Sequence, residues 1–361
     1  MVPRFDGRDQ CGTQYRTKTE TIRAPRGSRR MKLPILSLSG RGENSDPPNR
    51  FHELAVDPDP EEAADVPGRR ETRYFRDPAR SVLTRNRSPG VGFDWSLNPY
   101  RGCTHGCSYC CARPTHEYLG LSAGLDFESR IFVKDDAPRL LKEGLASARW
   151  NPVPLVLTEV TDPYQSVERR LGLTRGCLEV LEGAGHPVAI ITKSRLVTRD
   201  TDLLASLAGK GAAHVTLSIT TLDRRLQRAL EPRASPPEHR LDAIRALSAA
   251  GVPVAVNVAP VIPGLTEHEI PAILEAAAEA GATAAGMVLL RLPWGVKEIF
   301  EDWLCRHLPD RADRVLNRLR DAHGGKLYDA TPGHRMRGTG PHAEQIRSLF
   351  RVASLKAGLD P

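Results

Sequence analysis

From residue 154 onward the chain alternates short apolar runs with stretches of helical period. The runs at 154–160, 187–192, 252–258 and 285–292 are rich in Val, Ile, Leu and Ala, as expected of buried strands, and 214–220 sets Val215, Leu217 and Ile219 at strand spacing. Between and around them, 137–148, 176–183, 200–207, 241–250 and 267–280 repeat apolar residues at helical spacing, and Gly251 and Gly281 stand where two of these helices should end. Residues 294–323 read as one further helix. A strand before Cys103 brings the strand count to six. Continuous apolar strands alternating with helices imply parallel strands joined by right-handed crossovers. Six units are too few to close an eight-stranded barrel, so the expected fold is α/β, an open partial (β/α)6 TIM-like barrel.

The pattern also divides the chain. Residues 1–38 have no periodicity and are expected to be a disordered basic tail. Residues 39–92 are rich in Pro, Gly, Arg and acids, with 57–62 breaking any period, and read as an irregular arm laid across the domain. The barrel should occupy 93–293, followed by a helical C-terminal extension over 294–361.

Composition sharpens this picture in two places. The net charge is +7, but residues 1–38 hold nine basic and three acidic residues, so six of the seven net charges belong to the tail. The remainder carries no global polyanion signal, and aromatics at 5% are few for stacking bases. No apolar run approaches the length of a membrane span, and the basic tail lacks the compact apolar region of a secretory signal. The expectation is a cytoplasmic protein with no membrane partner.

Of the seven cysteines, four fall within 103–111, which suits a reducing compartment and a metal. Cys103, Cys107 and Cys110 are spaced Cys-x3-Cys-x2-Cys in a glycine-containing loop. A structural zinc site takes four ligands, whereas a four-iron four-sulfur cluster on three thiolates leaves one iron open to a small molecule. Zinc with His105 or Cys111 as fourth ligand, or a disulfide pair, are the alternatives. Cys111 directly follows Cys110, and adjacent residues rarely aim both side chains at one metal.

This spacing, with aromatic Tyr109 before the third cysteine, resembles the signature of the radical S-adenosylmethionine (radical SAM) superfamily. The resemblance implies a 4Fe-4S cluster on the three cysteines, S-adenosylmethionine chelated at the open iron, and a one-electron reductant such as flavodoxin or ferredoxin. Reductive cleavage then yields a 5′-deoxyadenosyl radical that abstracts hydrogen from a substrate. The strand ends fit the same resemblance. Asp162 or Glu159, in the run 158–165, stands where the family binds the methionine ammonium, although the family's usual glycines are missing. Lys193 either meets the methionine carboxylate or reaches solvent. Ser218 corresponds to a ribose contact, with Asn257 as the alternative. Residues 260–267 resemble the adenine motif, Ile262 packing on the ring, Gly264 allowing the turn and Glu267 supporting the next helix. Tyr109 joins these as a cofactor-binding candidate.

A narrower resemblance lies in 98–103, 161–165, 191–194 and 231–233, with 335–340 near the end. Together these are similar to the branch related to spore photoproduct lyase, the DNA repair photolyase-like proteins. Cys111 departs from that branch, which usually has tyrosine there. Cys177 and Cys305 sit in helical stretches and are expected to be core residues. The leading function is therefore a radical enzyme acting on an unidentified substrate. Nucleic-acid repair or modification is the sharper alternative, and a non-catalytic iron-sulfur or zinc module is the third.

Overall fold

The computed structural model describes residues 40–43, 45–51, 71–89, 91–158 and 160–361, so the basic tail and Glu159 lie outside the described residues. In chain order the elements are β1 (Arg73–Arg76), β2 (Leu83–Arg85), β3 (Trp95–Leu97), β4 (Tyr100–Arg101), α1 (Leu125–Ser129), β5 (Arg130–Val133), α2 (Ala137–Leu145) and β6 (Leu155–Leu157). There follow α3 (Glu168–Leu171), α4 (Leu173–Gly183), β7 (Val188–Thr192), α5 (Thr201–Gly209), β8 (Ala213–Ile219), α6 (Arg224–Leu230), α7 (Pro237–Ala249), β9 (Val254–Val261), α8 (Ile270–Glu279) and β10 (Ala284–Leu289). Three helices close the chain: α9 (Val296–His307), α10 (Pro309–Ala322) and α11 (Gly340–Lys356).

Strands β3, β6, β7, β8, β9 and β10 are parallel neighbours in chain order, the six-unit open barrel expected from the apolar pattern. Strand β2 adds an antiparallel edge to β3. At the opposite edge, the amides of Ala285 and Leu289 donate to the carbonyls of Asp360 (2.7 Å) and Met336 (2.9 Å), so the C-terminal segment covers groups that would otherwise be exposed. The main core lies between the strands and the crossover helices, with Leu155, Leu157, Ile190, Leu217 and Val256 of the sheet packed on Leu178, Leu204, Ile244 and Leu274. Among the described residues no helix is long and apolar enough to cross a membrane.

Within the arm, β1 pairs in parallel with β5, so the stretch 71–89 is partly strand. The single helix expected over 294–323 is broken at Leu308, and Pro309 begins α10. Proline lacks the amide that would continue α9 and is favoured in a helix's first turn. Cys305 is exposed, which corrects its expected place in the core. The buried face of α9 is Val296, Ile299, Phe300, Trp303 and Leu304, and Cys305 falls off that stripe. Cys177, by contrast, is fully buried in the main core.

Candidate active site

The cysteine loop runs from β4 into a 3-10 helix at Arg113–Leu119. Tertiary contacts fix its path. The Gly102 carbonyl accepts from Thr161 Oγ1 (2.6 Å) and Gln165 Nε2 (3.2 Å), and the Cys107 carbonyl accepts from Arg113 Nε (2.9 Å). Arg113 is itself fully buried and ion-paired to Glu128 at 2.9 Å, both side chains being sealed from solvent. Glu128 also accepts from the amide of Gly42 (3.1 Å), which ties the arm to the loop. A Cβ on Gly42 would stand 1.6 Å from the Gly106 carbonyl oxygen, so only glycine permits that approach.

A cavity of about 140 Å³ opens at the carboxyl ends of the strands. Cys103, His105, Cys107, Cys110 and Cys111 line it from the loop, with Thr158, Thr161 and Asp162 after β6, 191–193 at β7 and Ser218 on β8. The described cysteines form no disulfides. Among the described residues no three His, Cys, Asp or Glu side chains gather closely enough to hold one metal ion. A lone zinc requires sulfurs about 3.8 Å apart, given Zn–S bonds near 2.3 Å. The three thiols line one cavity together, a donor set that a multi-iron group can take with no fourth protein thiolate. Burial raises the pKa of Cys103 and Cys107, and moves that of Cys110 to about 11. Metal binding there must displace thiol protons.

Asp162 is committed to the cavity wall. Its carboxylate accepts from Thr192 Oγ1 (2.7 Å), the Lys193 amide (2.8 Å) and the Tyr164 amide (2.9 Å), and lies 3.4 Å from His105 Nδ1. It thereby fastens the end of β6 to that of β7. Burial lowers the pKa of His105, against the opposing pull of Asp162.

Lys193 turns to neither solvent nor an open anion site. Its ammonium donates to the Ala259 carbonyl (2.8 Å) and Thr220 Oγ1 (3.1 Å) and pairs with Glu231 at 3.0 Å. Glu231, fully buried, also accepts from Tyr109 OH, Thr220 Oγ1 (2.7 Å) and Arg240 Nη2. One carboxylate thus joins the cysteine loop, β7, the end of β8 and α7. Burial alone would raise the pKa of Glu231, but Arg240 and Lys193 outweigh it and hold the carboxyl well below its ordinary value.

Of the cofactor-binding candidates, Asp162, Lys193 and Ser218 line the cavity, while Tyr109, Asn257, Ile262 and Gly264 do not. Tyr109 points into the Glu231 cluster. Asn257 is in register with Ser218 across β8 and β9, hence on the same face, and its Oδ1 is buried without a partner. Ile262 packs among Leu265, Leu290 and Leu292. Gly264 has φ +82°, and a Cβ there would meet Arg318 Cγ at 3.2 Å and Val315 Cα at 3.3 Å, so this turn faces α10. Glu267 holds the turn itself, accepting from the Gly264 amide at 2.8 Å. Sequence reasoning missed Gly42, Arg113, Glu128 and Arg240. The one local signal was the run 231–233, which marked Glu231 without revealing its partners.

The model of the Radical SAM superfamily matches residues 97–277, half of the chain, from β3 to α8. An uncharacterized protein of Mycobacterium tuberculosis is 38% identical over 224 residues, 62% of this chain and 66% of that protein. The chain thus spans just under two thirds of that relative's length. An uncharacterized protein of Methanocaldococcus jannaschii is 28% identical over 191 residues, covering 53% of this chain and 68% of that one. Among solved structures, spore photoproduct lyase complexed with dinucleoside spore photoproduct aligns with a TM-score of 0.57 at 16% identity, covering 80% of this chain and 81% of that one. That likeness is one of fold. With the family match covering both the cysteine loop and the strand ends around the cavity, this chain belongs to the radical SAM superfamily of enzymes.

Proposed function

We propose that the protein cleaves S-adenosylmethionine reductively, with Cys103, Cys107 and Cys110 as the ligands of a 4Fe-4S cluster. The observation that carries this reading is the single cavity that these three thiols share with the ends of β6, β7 and β8. When bound, the cluster and S-adenosylmethionine supply one electron and a 5′-deoxyadenosyl radical able to take hydrogen from a substrate. The chain's own groups position and enclose. Asp162 locks the β6 and β7 ends together, Lys193 ties the wall to the buried Glu231, and the Ser218 hydroxyl with the unpartnered Asn257 Oδ1 offers polar contacts to a ribose. The apolar surroundings of Cys107 and Tyr109 keep water away from reactive species.

Anaerobic reconstitution should give brown protein with about four irons per chain, and dithionite should then release 5′-deoxyadenosine. Cys107→Ala should keep the fold and lose that product. Full activity in this variant refutes the proposal, and one zinc per chain with no product would replace it with a non-catalytic metal module.

A second reading, repair or modification of nucleic acid, is supported by the fold shared with spore photoproduct lyase and by the lyase-like runs in the sequence. Salt-dependent DNA binding that survives removal of residues 1–38 supports it. Binding lost with the tail refutes it.

A further inference from the structure

Three exposed aromatic rings stand together around one arginine. Phe51, Tyr118 and Trp294 are 53%, 69% and 59% exposed. The Arg50 guanidinium carbon lies 4.6, 5.4 and 4.1 Å from their respective ring centres, and the Phe51 and Tyr118 centres are 5.1 Å apart. The rings come from three separate segments: the arm, the 3-10 helix after the cysteine loop, and the turn at the carboxyl end of β10. Glu117, buried beneath, pins Arg50 at 3.3 Å. Trp294 is the one non-glycine residue at positive φ among the described residues, at +48°. That conformation is unfavourable for a bulky side chain and is found where the surroundings hold a residue in place for use. Packing does not explain it, because the ring is outside the core.

The same turn carries a cation without a partner. Arg291, three residues before Trp294, enters no ion pair among the described residues, and its Nε is buried with no hydrogen-bond acceptor. Exposed rings with a guanidinium in the stack suit planar π systems, and an unpartnered guanidinium three residues along the chain suits an anion. A ligand with both features is a nucleotide whose base is unstacked, as in a single strand. A proline-rich peptide would use the rings but has no need of the cation, and the bases of an intact duplex offer no free face.

We propose that Phe51, Tyr118 and Trp294 form a stacking platform for bases of single-stranded nucleic acid, with Arg291 as a phosphate contact. This rests on the nucleic-acid reading above and places the partner on the folded part of the chain. The aromatic content looks too low for base binding, but it is the gathering of three rings, not their number, that makes the surface.

The test is fluorescence anisotropy with labelled oligothymidylate and the full, anaerobically reconstituted chain, with thymidine monophosphate, a duplex and a proline-rich peptide as competitors. Trp294→Ala and Tyr118→Ala should each weaken oligothymidylate binding by about 5- to 150-fold with unchanged melting curves. Arg291→Gln should reduce the slope of log affinity against log salt by about 0.7. Unchanged binding in both aromatic variants overturns the platform and leaves the nucleic-acid reading standing. Absence of binding by the unmutated chain overturns both. Competition by the monophosphate, duplex or peptide at equal concentration to the single strand also overturns the assignment.

Discussion

Glu231→Gln is the most informative single change, because one carboxylate serves four donors. Its Oε1 takes Tyr109, Thr220 and Lys193, and its Oε2 takes Arg240. A glutamine of the same shape has one acceptor and one donor end, so either Lys193 or Arg240 must face an NH2 group. The tyrosine and threonine hydroxyls can rotate and accept, but the cations cannot. Removing one partner of a buried ion pair costs about 3–5 kcal/mol. The glutamine retains part of the network, so the lower bound is appropriate: about 3 kcal/mol, a fall in melting temperature of roughly 4–5 °C for a folded part of this size. Urea unfolding near neutral pH measures it. The folded-state pKa of Glu231 lies below its ordinary value of 4.5. Its stabilisation is therefore fully present above about pH 4.5 and is lost as the solution is acidified toward the folded pKa. The gap between the two proteins should narrow in that acid range. A difference below about 0.5 kcal/mol at neutral pH, the scale of an ordinary surface substitution, would refute the hub.

The arm-to-loop contact predicts a graded glycine series. Gly42→Ala should cost well over about 2 kcal/mol and impair iron uptake, since its Cβ would lie 1.6 Å from a carbonyl oxygen, whereas Gly172→Ala, at φ +64° with nothing within 4 Å, should cost only about 1 kcal/mol. Urea titration with iron analysis separates the two. Lys134, which does not line the cysteine cavity, supplies a pH test: burial, aided by Arg101, lowers its pKa from 10.5 to about 8. Between those values the unfolded chain binds more protons, so stability should rise with pH across that window. Lys134→Met should abolish the rise and stabilise the neutral protein by up to about 3 kcal/mol. Flat stability from pH 8 to 10.5 in the unmutated chain would contradict this reading.

The fold was legible because its information is local. Val188–Thr192 is apolar on both faces, Ala213–Ile219 alternates apolar residues with His214, Thr216 and Ser218, and both patterns are written into consecutive residues. The cysteine loop was legible for the same reason, its ligands lying within eight positions of one another. Helix α9 shows the limit of local reading. Its apolar stripe is visible in the sequence, and the residue type of Cys305 suggests the core, but the stripe leaves that position on the exposed face.

The interior of the site was not legible, and the reason is physical. A buried charge must be compensated wherever it is, but the compensating residue need only arrive in space, not in sequence. Glu128 meets Arg113 from 15 residues away and Gly42 from 86, and Glu231 meets Tyr109 from 122. Such pairs leave no period and no spacing to read. They are nevertheless what turns three nearby cysteines into one cavity, because each ties the loop to an element that carries another wall. The same reasoning applies to Ile262 and Gly264. A motif resemblance names the residues, yet α10, packed at 3.2–3.3 Å from the Gly264 Cβ position, decides which side of the turn a ligand can reach. Access to that face therefore depends on the C-terminal extension, which lies beyond the stretch matched by the superfamily.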